Sequence, residues 1–153
     1  MIRTVDFKGQ FRTGDGQWCD PLTVVDAATR SLLGCQGLAR PTHALTRPAF
    51  RRLFERYDLL LTPTIACAAF TVGQDGPPEI AGTPTGVYDW IPFTYPFNMT
   101  GHPGASVPCG LTREKLPIGL QIVGRRFEDA TVLRASAAWE KLAPWAHLRP
   151  PLD

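Results

Sequence analysis

The clearest hydrophobic pattern in the chain is a short apolar run near its middle. Residues 58–62 read DLLLT, and Pro63 stops the run. A nearly continuous apolar run of this length, bounded by a breaker, is typical of a strand that is buried on both faces. The pattern therefore predicts a core strand here.

Two further strands are predicted downstream, in residues 104–108 (GASVP) and 116–124 (LPIGLQIVG). The intervening segment CGLTREK has the composition of a turn. In the second strand large aliphatic residues alternate with others, which predicts one apolar face. Gly119 lies on the other face and indicates a close approach of the backbone to a neighbour. The alternating aliphatic residues are Ile118, Leu120 and Ile122.

Helical spacing predicts helices in the first half of the chain. Asp20 and Pro21 have the character of an N-cap followed by a first-turn proline, and Gly34 can end that helix. Thr46 is predicted to cap a second helix over residues 47–57, with Pro48 tolerated in its first turn. The apolar spacing of the first helix comes from Leu22, Val25, Thr29, Leu32 and Leu33.

The second half is predicted to contain a short helix that ends near Gly101 and a final helix that Glu128 and Asp129 open. Acidic residues are favourable at a helix N-terminus, and Pro144 stops the final helix. Its apolar stripe consists of Val132, Ala135, Trp139 and Leu142.

Two less regular segments complete the pattern. Residues 5–18 favour a hairpin closed near Asp15 and Gly16. Residues 63–87 are rich in proline and glycine and predict a long irregular loop, a kind of loop that is usually functional or disordered.

Composition excludes several classes of protein. The chain has 153 residues, 44% hydrophobic and 20% charged, which fits one folded domain or a piece of a larger one. A formal net charge of +2 is too small to indicate nucleic acid or an anionic membrane as a partner. No apolar run approaches the roughly 18 residues of a membrane span. The start of the chain has charges where a secretory signal needs an apolar core, so we expect a cytoplasmic protein.

The four cysteines are far apart and form no C-x-x-C motif, so they are expected to be reduced thiols. His43 and His147 have no partners in a metal-binding pattern. We therefore predict no metal site and no cofactor.

Three motifs occur in order: FERYDLLLTPT, PFNMTGHPGASVPCG and LPIGLQIVGRRFEDATVLRASAAWEK. Together they resemble the C-terminal region of the amidase signature hydrolases. That family includes bacterial amidases, fatty acid amide hydrolases and the A subunit of the glutamyl-tRNA amidotransferase. The resemblance covers about Phe50 to Leu142. It divides the chain into a poorly matched segment, residues 1–45, and an amidase-like C-terminal region, residues 46–153.

The resemblance implies an α/β fold: a mixed β-sheet flanked by α-helices, present here as a partial amidase signature fold. The segment from Tyr95 to Gly110 would then be scaffold that shapes one wall of a substrate cleft. Glycines would let the backbone turn and pack closely, prolines would fix the ends of a strand, and polar side chains would tie loop backbone groups. These residues are Gly101 and Gly104, Pro103 and Pro108, and Asn98 and Thr100.

Three aromatic residues, Trp90, Phe93 and Phe97, are the predicted substrate-binding residues, because they can line an acyl or aryl pocket. Asp89 and Tyr95 of the same segment can line this pocket too. The alternative is that these aromatics are ordinary core or helix packing. The basic turn GRRFED, residues 124–129, is interpreted as a solvated helix start rather than as an anion site.

The chemistry of the family uses a lysine, a serine in a cis peptide and a nucleophilic serine, which normally lie upstream of these motifs. No residue here matches those positions, so no catalytic residue is predicted. The available serines are Ser31, Ser106 and Ser136, and the lysines are Lys8, Lys115 and Lys141.

Three functional hypotheses stay open. The first is a C-terminal amidase fragment that is inactive alone and meets a small amide substrate only in an intact enzyme. The second is a non-catalytic binding or assembly module that forms a homodimer or docks onto a complementing protein. The third is an independent cysteine hydrolase that uses Cys109 with His102.

Overall fold

The structure is a computed structural model that describes residues 3–7, 11–26, 31–40 and 42–149. Nine strands and three helices follow one another in the described part of the chain. They are β1 (Arg3–Phe7), β2 (Phe11–Arg12), β3 (Trp18–Asp26), β4 (Leu32–Leu38), α1 (His43–Arg56), β5 (Leu59–Pro63), β6 (Glu79–Ile80), β7 (Thr83–Pro84), α2 (Tyr95–Thr100), β8 (Gly104–Leu111), β9 (Pro117–Gly124) and α3 (Asp129–Leu142).

The first sheet consists of β1, β2, β3 and β4, with β3 paired to each of the other strands in antiparallel register. The predicted hairpin near Asp15 and Gly16 is confirmed, because β2 pairs with the start of β3. Its turn is closed by backbone hydrogen bonds from Thr13 N–H to Gln17 O (2.9 Å) and from Gly16 N–H to Thr13 O (2.8 Å).

The predicted helix from Asp20 to Gly34 is wrong, since β3 and β4 occupy this region. Residues 23–25 read TVV, and β-branched side chains favour strands. Leu22, Thr23 and Val24 are all buried, because β3 lies between two neighbouring strands and one of its faces joins the core. Gly34 pairs with Val24 inside the sheet. Of the predicted helical stripe, Thr29 and the side chain of Leu33 lie outside the described residues.

The second sheet has the order β5–β9–β8, and both pairs are antiparallel. The three strands predicted from the hydrophobic pattern are thereby confirmed. Pro108 was expected to end a strand, but it lies inside β8 at an irregularity in the register between positions 108 and 110. A proline is tolerated there because β8 is an outer strand of this sheet and the ladder is already interrupted.

Helix α1 begins one turn earlier than predicted, with Thr42 rather than Thr46 at the N-cap position. Thr46 is fully buried because it lies one and two turns before Phe50 and Phe54, on the face that enters the core. Pro48 consequently lies in the interior of the helix.

Helices cover both faces of the second sheet. On one face, the side chains of β3, β4, α1 and α2 pack against Leu60 of β5 and Val123 of β9. On the other face, α3 packs over a cluster formed by Val107, Leu120, Ile122 and Val132. This arrangement of sheets and flanking helices confirms the expected α/β class. Helix α1 crosses the proposed boundary at residues 45 and 46, and the division into two regions stays a prediction.

The predicted apolar stripe of α3 is confirmed except at its end. Val132 is buried, and Ala135 and Trp139 pack against the same cluster. Leu142 is 82% exposed. Trp145 packs against the cluster instead, because the chain turns after the last helical residue.

Within the described residues, no helix combines the length and the apolar character that crossing a membrane requires.

The close packing of Gly124, at the end of β9, against Val132 of α3 leads to a prediction about stability. An alanine Cβ at Gly124 would lie 2.6 Å from Val132 Cγ2, a buried and stiff β-branched side chain. We expect Gly124→Ala to lower the free energy of unfolding by about 1–3 kcal/mol, since α3 must shift to relieve the overlap. Urea unfolding of the variant and the parent chain measures this difference.

The matched control is Gly14→Ala, because no atom lies within 4 Å of the added Cβ there. It should change the free energy of unfolding by less than about 0.5 kcal/mol. Equal urea midpoints for Gly124→Ala and the parent would contradict the packing described for this joint.

Candidate functional site

A cavity of about 440 Å³ lies where β5 runs into the loop that follows it. The loop residues 63–68 form one side, and Ser106 of β8 and Gly119 of β9 contribute from the sheet. The cavity therefore opens at the end of the three strands that the hydrophobic pattern predicts most clearly.

Two hydroxyl groups meet across β9 at this cavity. Thr64 Oγ1 and Ser106 Oγ are 2.7 Å apart, and Thr64 N–H donates to Gly119 O at 3.0 Å. A Cβ at position 119 would lie 2.7 Å from the first hydroxyl oxygen and 2.9 Å from the second. The predicted close approach at Gly119 is thus confirmed, and the absent side chain is what lets the two hydroxyls touch.

A polar row continues from the exposed Ser106 across the sheet, and its other two members are buried. Thr62, Gln121 and Ser106 occupy paired positions on β5, β9 and β8. Gln121 is 6% exposed and donates from Nε2 to Phe93 O at 3.3 Å. Thr62 is fully buried, and its Oγ1 has no hydrogen-bond partner among the described residues. The sequence shows these polar residues but not that they align.

The predicted substrate-binding residues Trp90 and Phe93 are attached to this site through their backbones. Trp90 O accepts a hydrogen bond from Ala66 N–H at 2.9 Å, and Phe93 O accepts from Gln121. The Trp90 indole donates to Val87 O at 2.9 Å and meets Phe70 edge-on at 5.2 Å. Both side chains are half-buried and lie outside the lining of the cavity. Their contact with a substrate stays a prediction.

Phe97, the third predicted substrate-binding residue, lies in the core. It is 4% exposed and packs 5.1 Å from Phe50, measured between ring centroids. Little of its surface is available to a ligand. Its structural surroundings match the alternative that was open for these aromatics, that of helix packing.

The turn after α2 explains the glycine and the threonine of the second motif. Gly101 adopts a left-handed conformation (φ 66°, ψ 36°), and its N–H donates to Phe97 O at 2.8 Å. This is a helix cap that strongly favours glycine. Thr100 Oγ1 donates to Pro96 O at 2.6 Å, the backbone tie that was predicted. Pro103 leads from the turn into β8 and accepts a hydrogen bond from Gly124 N–H.

Two details of that motif differ from the prediction. The side chain of Asn98 is exposed and makes no hydrogen bond to another described residue. Gly104 has space for a side chain, since the nearest atoms to an added Cβ are 3.9 Å away. The close backbone approaches occur at Gly119 and Gly124 instead, where neighbouring side chains fill the space that a Cβ would occupy.

His102 has a fixed tautomer. The single hydroxyl hydrogen of Thr100 is donated to a carbonyl, so Thr100 Oγ1 accepts from His102 Nδ1–H at 2.7 Å. The imidazole stacks on Phe54 at 4.9 Å and meets Phe50 edge-on at 5.6 Å. Burial in this surrounding, with Arg126 and Arg47 nearby, lowers the pKa of His102 from 6.5 to about 4. The side chain is therefore neutral at pH 7.

The structure does not bring His102 and Cys109 together as a catalytic pair. His102 precedes β8 and Cys109 lies within it, and the five strand residues between them span roughly 16 Å. Although Cys109 is exposed, partial desolvation by the surrounding protein raises the pKa of its thiol, which opposes formation of the nucleophilic thiolate. The geometry gives no support to the hypothesis of an independent cysteine hydrolase.

Neither Ser106 nor Ser136 has a lysine as a hydrogen-bond partner. Ser106 bonds to Thr64, and Ser136 Oγ donates to Val132 O. Lys115 and Lys141 are exposed. In the same residues, no group of three or more histidine, cysteine or acidic side chains has the arrangement of a metal site.

Comparisons with known proteins place this fold and site in context. The sequence model of the amidase family matches residues 36–133. An acylamidase of Rhodococcus erythropolis is 43% identical over 96 residues, which is 61% of this chain and 20% of that protein. The A subunit of the glutamyl-tRNA(Gln) amidotransferase of Moorella thermoacetica is 42% identical over 114 residues, which is 74% of this chain and 22% of that protein.

Solved structures agree with the sequence relatives. A bacterial aryl acylamidase of the amidase signature family has a TM-score of 0.62 and 39% identity, covering 68% of this chain and 22% of that one. The A subunit of the glutamyl-tRNA(Gln) amidotransferase of Thermotoga maritima has a TM-score of 0.56 and 35% identity, covering 67% and 22%. The chain spans about a fifth of the length of the curated relatives that it matches.

The neutral His102 makes stability depend on pH. Its pKa of about 4 in the folded state lies below 6.5, so the unfolded chain takes up the proton first as the pH falls. Stability should therefore decrease between about pH 6.5 and about pH 4. We expect His102→Leu, which packs on Phe54 but cannot titrate, to have a smaller decrease in urea midpoint over this range than the parent chain.

His147→Gln is the control, because this histidine is exposed near the C-terminal end of the described residues. Its urea midpoint should decrease with falling pH as steeply as that of the parent. If His102→Leu and the parent lose stability in parallel, the protonation of His102 does not oppose folding.

Proposed function

The chain belongs to the amidase family, and on this basis we propose that it is a C-terminal portion of an amidase that forms one wall of the substrate cleft and does not hydrolyse amides alone. One observation carries the proposal. The family match covers residues 36–133, yet neither Ser106 nor Ser136 has a lysine as a hydrogen-bond partner that could act as its base.

The cavity at the end of β5 supports a role in the cleft wall. A hydroxyl group both donates and accepts hydrogen bonds, so Thr64 and Ser106 can bind either the N–H or the C=O of an amide. The buried and unpartnered Thr62 Oγ1 fits a surface that further protein groups or a ligand complete.

In the intact enzyme, the upstream part would supply the nucleophilic serine and a lysine base, and the reaction would pass through an acyl-serine. Backbone N–H groups would hold the developing oxyanion. The substrate class that we propose is a carboxylic amide. Among the relatives, the acylamidase and the aryl acylamidase favour an acyl or aryl amide, with Trp90 and Phe93 as its apolar contacts.

A cytoplasmic location is part of this proposal. The four cysteines are free, and those at positions 35 and 109 are exposed. Free exposed thiols persist most readily in a reducing compartment.

The test compares amide hydrolysis by the purified chain with hydrolysis by a chimera that contains the catalytic part of a related enzyme. We expect no hydrolysis of a chromogenic aryl acylamide by the purified chain. When its residues 36–133 replace the matching segment of the Rhodococcus erythropolis acylamidase, the chimera should hydrolyse the same amide. The released arylamine, followed by absorbance, measures both reactions.

Turnover by the chain alone that scales with its concentration and disappears in Ser106→Ala would contradict the proposal. Ser136→Ala is the matched control, since this hydroxyl is bonded within α3 and lies away from the cavity. A chimera that folds with a cooperative unfolding transition but has no activity would argue against the cleft-wall role.

A second candidate function is a non-catalytic assembly module that a partner or a second copy completes. The observation that favours it is the three-stranded sheet, whose outer strands β5 and β8 have no further strand paired to them among the described residues. Unpaired strand edges favour association with another chain. Pro108 and the irregularity beside it protect only the second half of β8, so we infer that its first half is the pairing edge.

This candidate predicts self-association. At about 10 µM the purified chain should sediment as a dimer or a larger species, because pairing satisfies backbone groups along the open edge. Sedimentation velocity across a tenfold range of concentration checks this. A single monomeric species at every concentration would exclude homodimer formation and leave only a complementing protein as the partner.

A further inference from the structure

A second cavity, of about 500 Å³, lies between α1 and the segment that follows β9. Its lining is dominated by arginine. The polar residues that line it are Arg47, Arg51, Glu55, His102, Arg125 and Arg126.

The helix and the strand bring these arginines together from distant parts of the sequence. Arg47 and Arg51 are one turn apart on the outer side of α1, because Phe50 and Phe54 turn into the core. The other two arginines directly follow Gly124, the last residue of β9. The turn GRRFED is largely exposed and leads into α3, as its interpretation as a solvated helix start requires, and its two arginines also line this cavity.

The arginines have few counterions. Arg51 pairs with Glu55 at 3.6 Å, and both side chains are largely exposed, so this pair is weak. Arg125 donates to the backbone carbonyl of Phe54. Arg47 makes no ion pair with a described residue. Four arginines and one glutamate leave a formal charge of +3 around the cavity.

Arg126 has an unsatisfied donor. Its Nε is buried and has no acceptor among the described residues, while its guanidinium lies 4.9 Å from the centre of the Phe127 ring. Buried polar groups in folded proteins nearly always have a partner. An arginine held in this way at the wall of a cavity indicates that an acceptor belongs there.

The neighbouring histidine reports the electrostatic potential of the cavity. After burial, Arg126 and then Arg47 are the causes that lower the pKa of His102. The imidazole is therefore neutral and adds no positive charge of its own. The field at the cavity comes from the guanidinium groups, and it disfavours any further cation.

We propose that this cavity binds a small tetrahedral dianion of the phosphate or sulfate class. Guanidinium groups present paired N–H donors whose spacing matches two oxygens of such an anion. Two negative charges offset more of the formal charge of +3 than a single carboxylate does. The arginines belong to α1 and to the segment after β9, so they can donate to a bound anion from two sides. A tetrahedral anion has oxygens that point in several directions and can accept from both sides. This site is separate from the hydroxyl-lined cavity of the proposed cleft.

The experiment titrates the full chain with sodium sulfate and, separately, with sodium chloride at matched ionic strength. Sulfate keeps its two charges near neutral pH, so the charge of the ligand does not change during the measurement. We expect saturable sulfate binding with a Kd below about 1 mM, detected by calorimetry and by shifts of the arginine Nε–H signals in NMR. No saturation, or equal responses to sulfate and chloride, would overturn the proposal.

Variants separate a specific site from a general charge effect. Arg47→Gln and Arg126→Gln should each weaken sulfate binding by at least about fivefold. Arg134→Gln removes the same charge from the exposed surface of α3 and should leave the affinity within about twofold. If all three variants lose affinity equally, the cavity is not the site. Arg47 is exposed, so its variant keeps the test valid even if Arg126→Gln does not fold.

Discussion

The packing of a neutral His102 between two phenylalanines of α1 is the contact on which the other parts of the structure depend. The ring stacks on Phe54, and Thr100 accepts its Nδ1–H. This contact joins α1 to the glycine turn after α2 and therefore fixes where β8 begins. From there the antiparallel pairing of β8 with β9 brings Ser106 within hydrogen-bond distance of Thr64.

The two sides of helix α1 lie in different environments. Its inner face carries Phe50 and Phe54 into the core, and its outer side presents Arg47 and Arg51 to solvent and to the charged cavity. A helix with this division is stabilised mainly by burial of its apolar face, because exposed charges contribute little. Burial of the apolar face therefore stabilises α1 enough for the like charges of Arg47 and Arg51 to lie close together on its outer side.

The sequence predicted those elements whose signal is local. The strands β5, β8 and β9, the helix α3 and the glycine cap at position 101 each depend on neighbouring residues and were found as expected. The helix predicted for residues 20–34 was wrong because a few apolar positions fit a helix as well as a strand. The pairing of β3 with β4 stabilises the strand conformation instead. The two sites were missed for a different reason. Thr64 and Ser106 are 42 residues apart, and only the register of the sheet brings them together.

The apolar and the polar side chains of the second sheet differ in how fully they are satisfied within the described residues. Both faces of the second sheet have packed apolar clusters, so burial stabilises this part of the fold. The hydroxyl of Thr62, in contrast, is buried without a partner in the described residues, at a typical cost of about 1–3 kcal/mol. It lies in the polar row that leads to the cavity. Packed apolar contacts beside an incomplete polar wall support the proposed role in a cleft whose chemistry comes from other parts of an amidase.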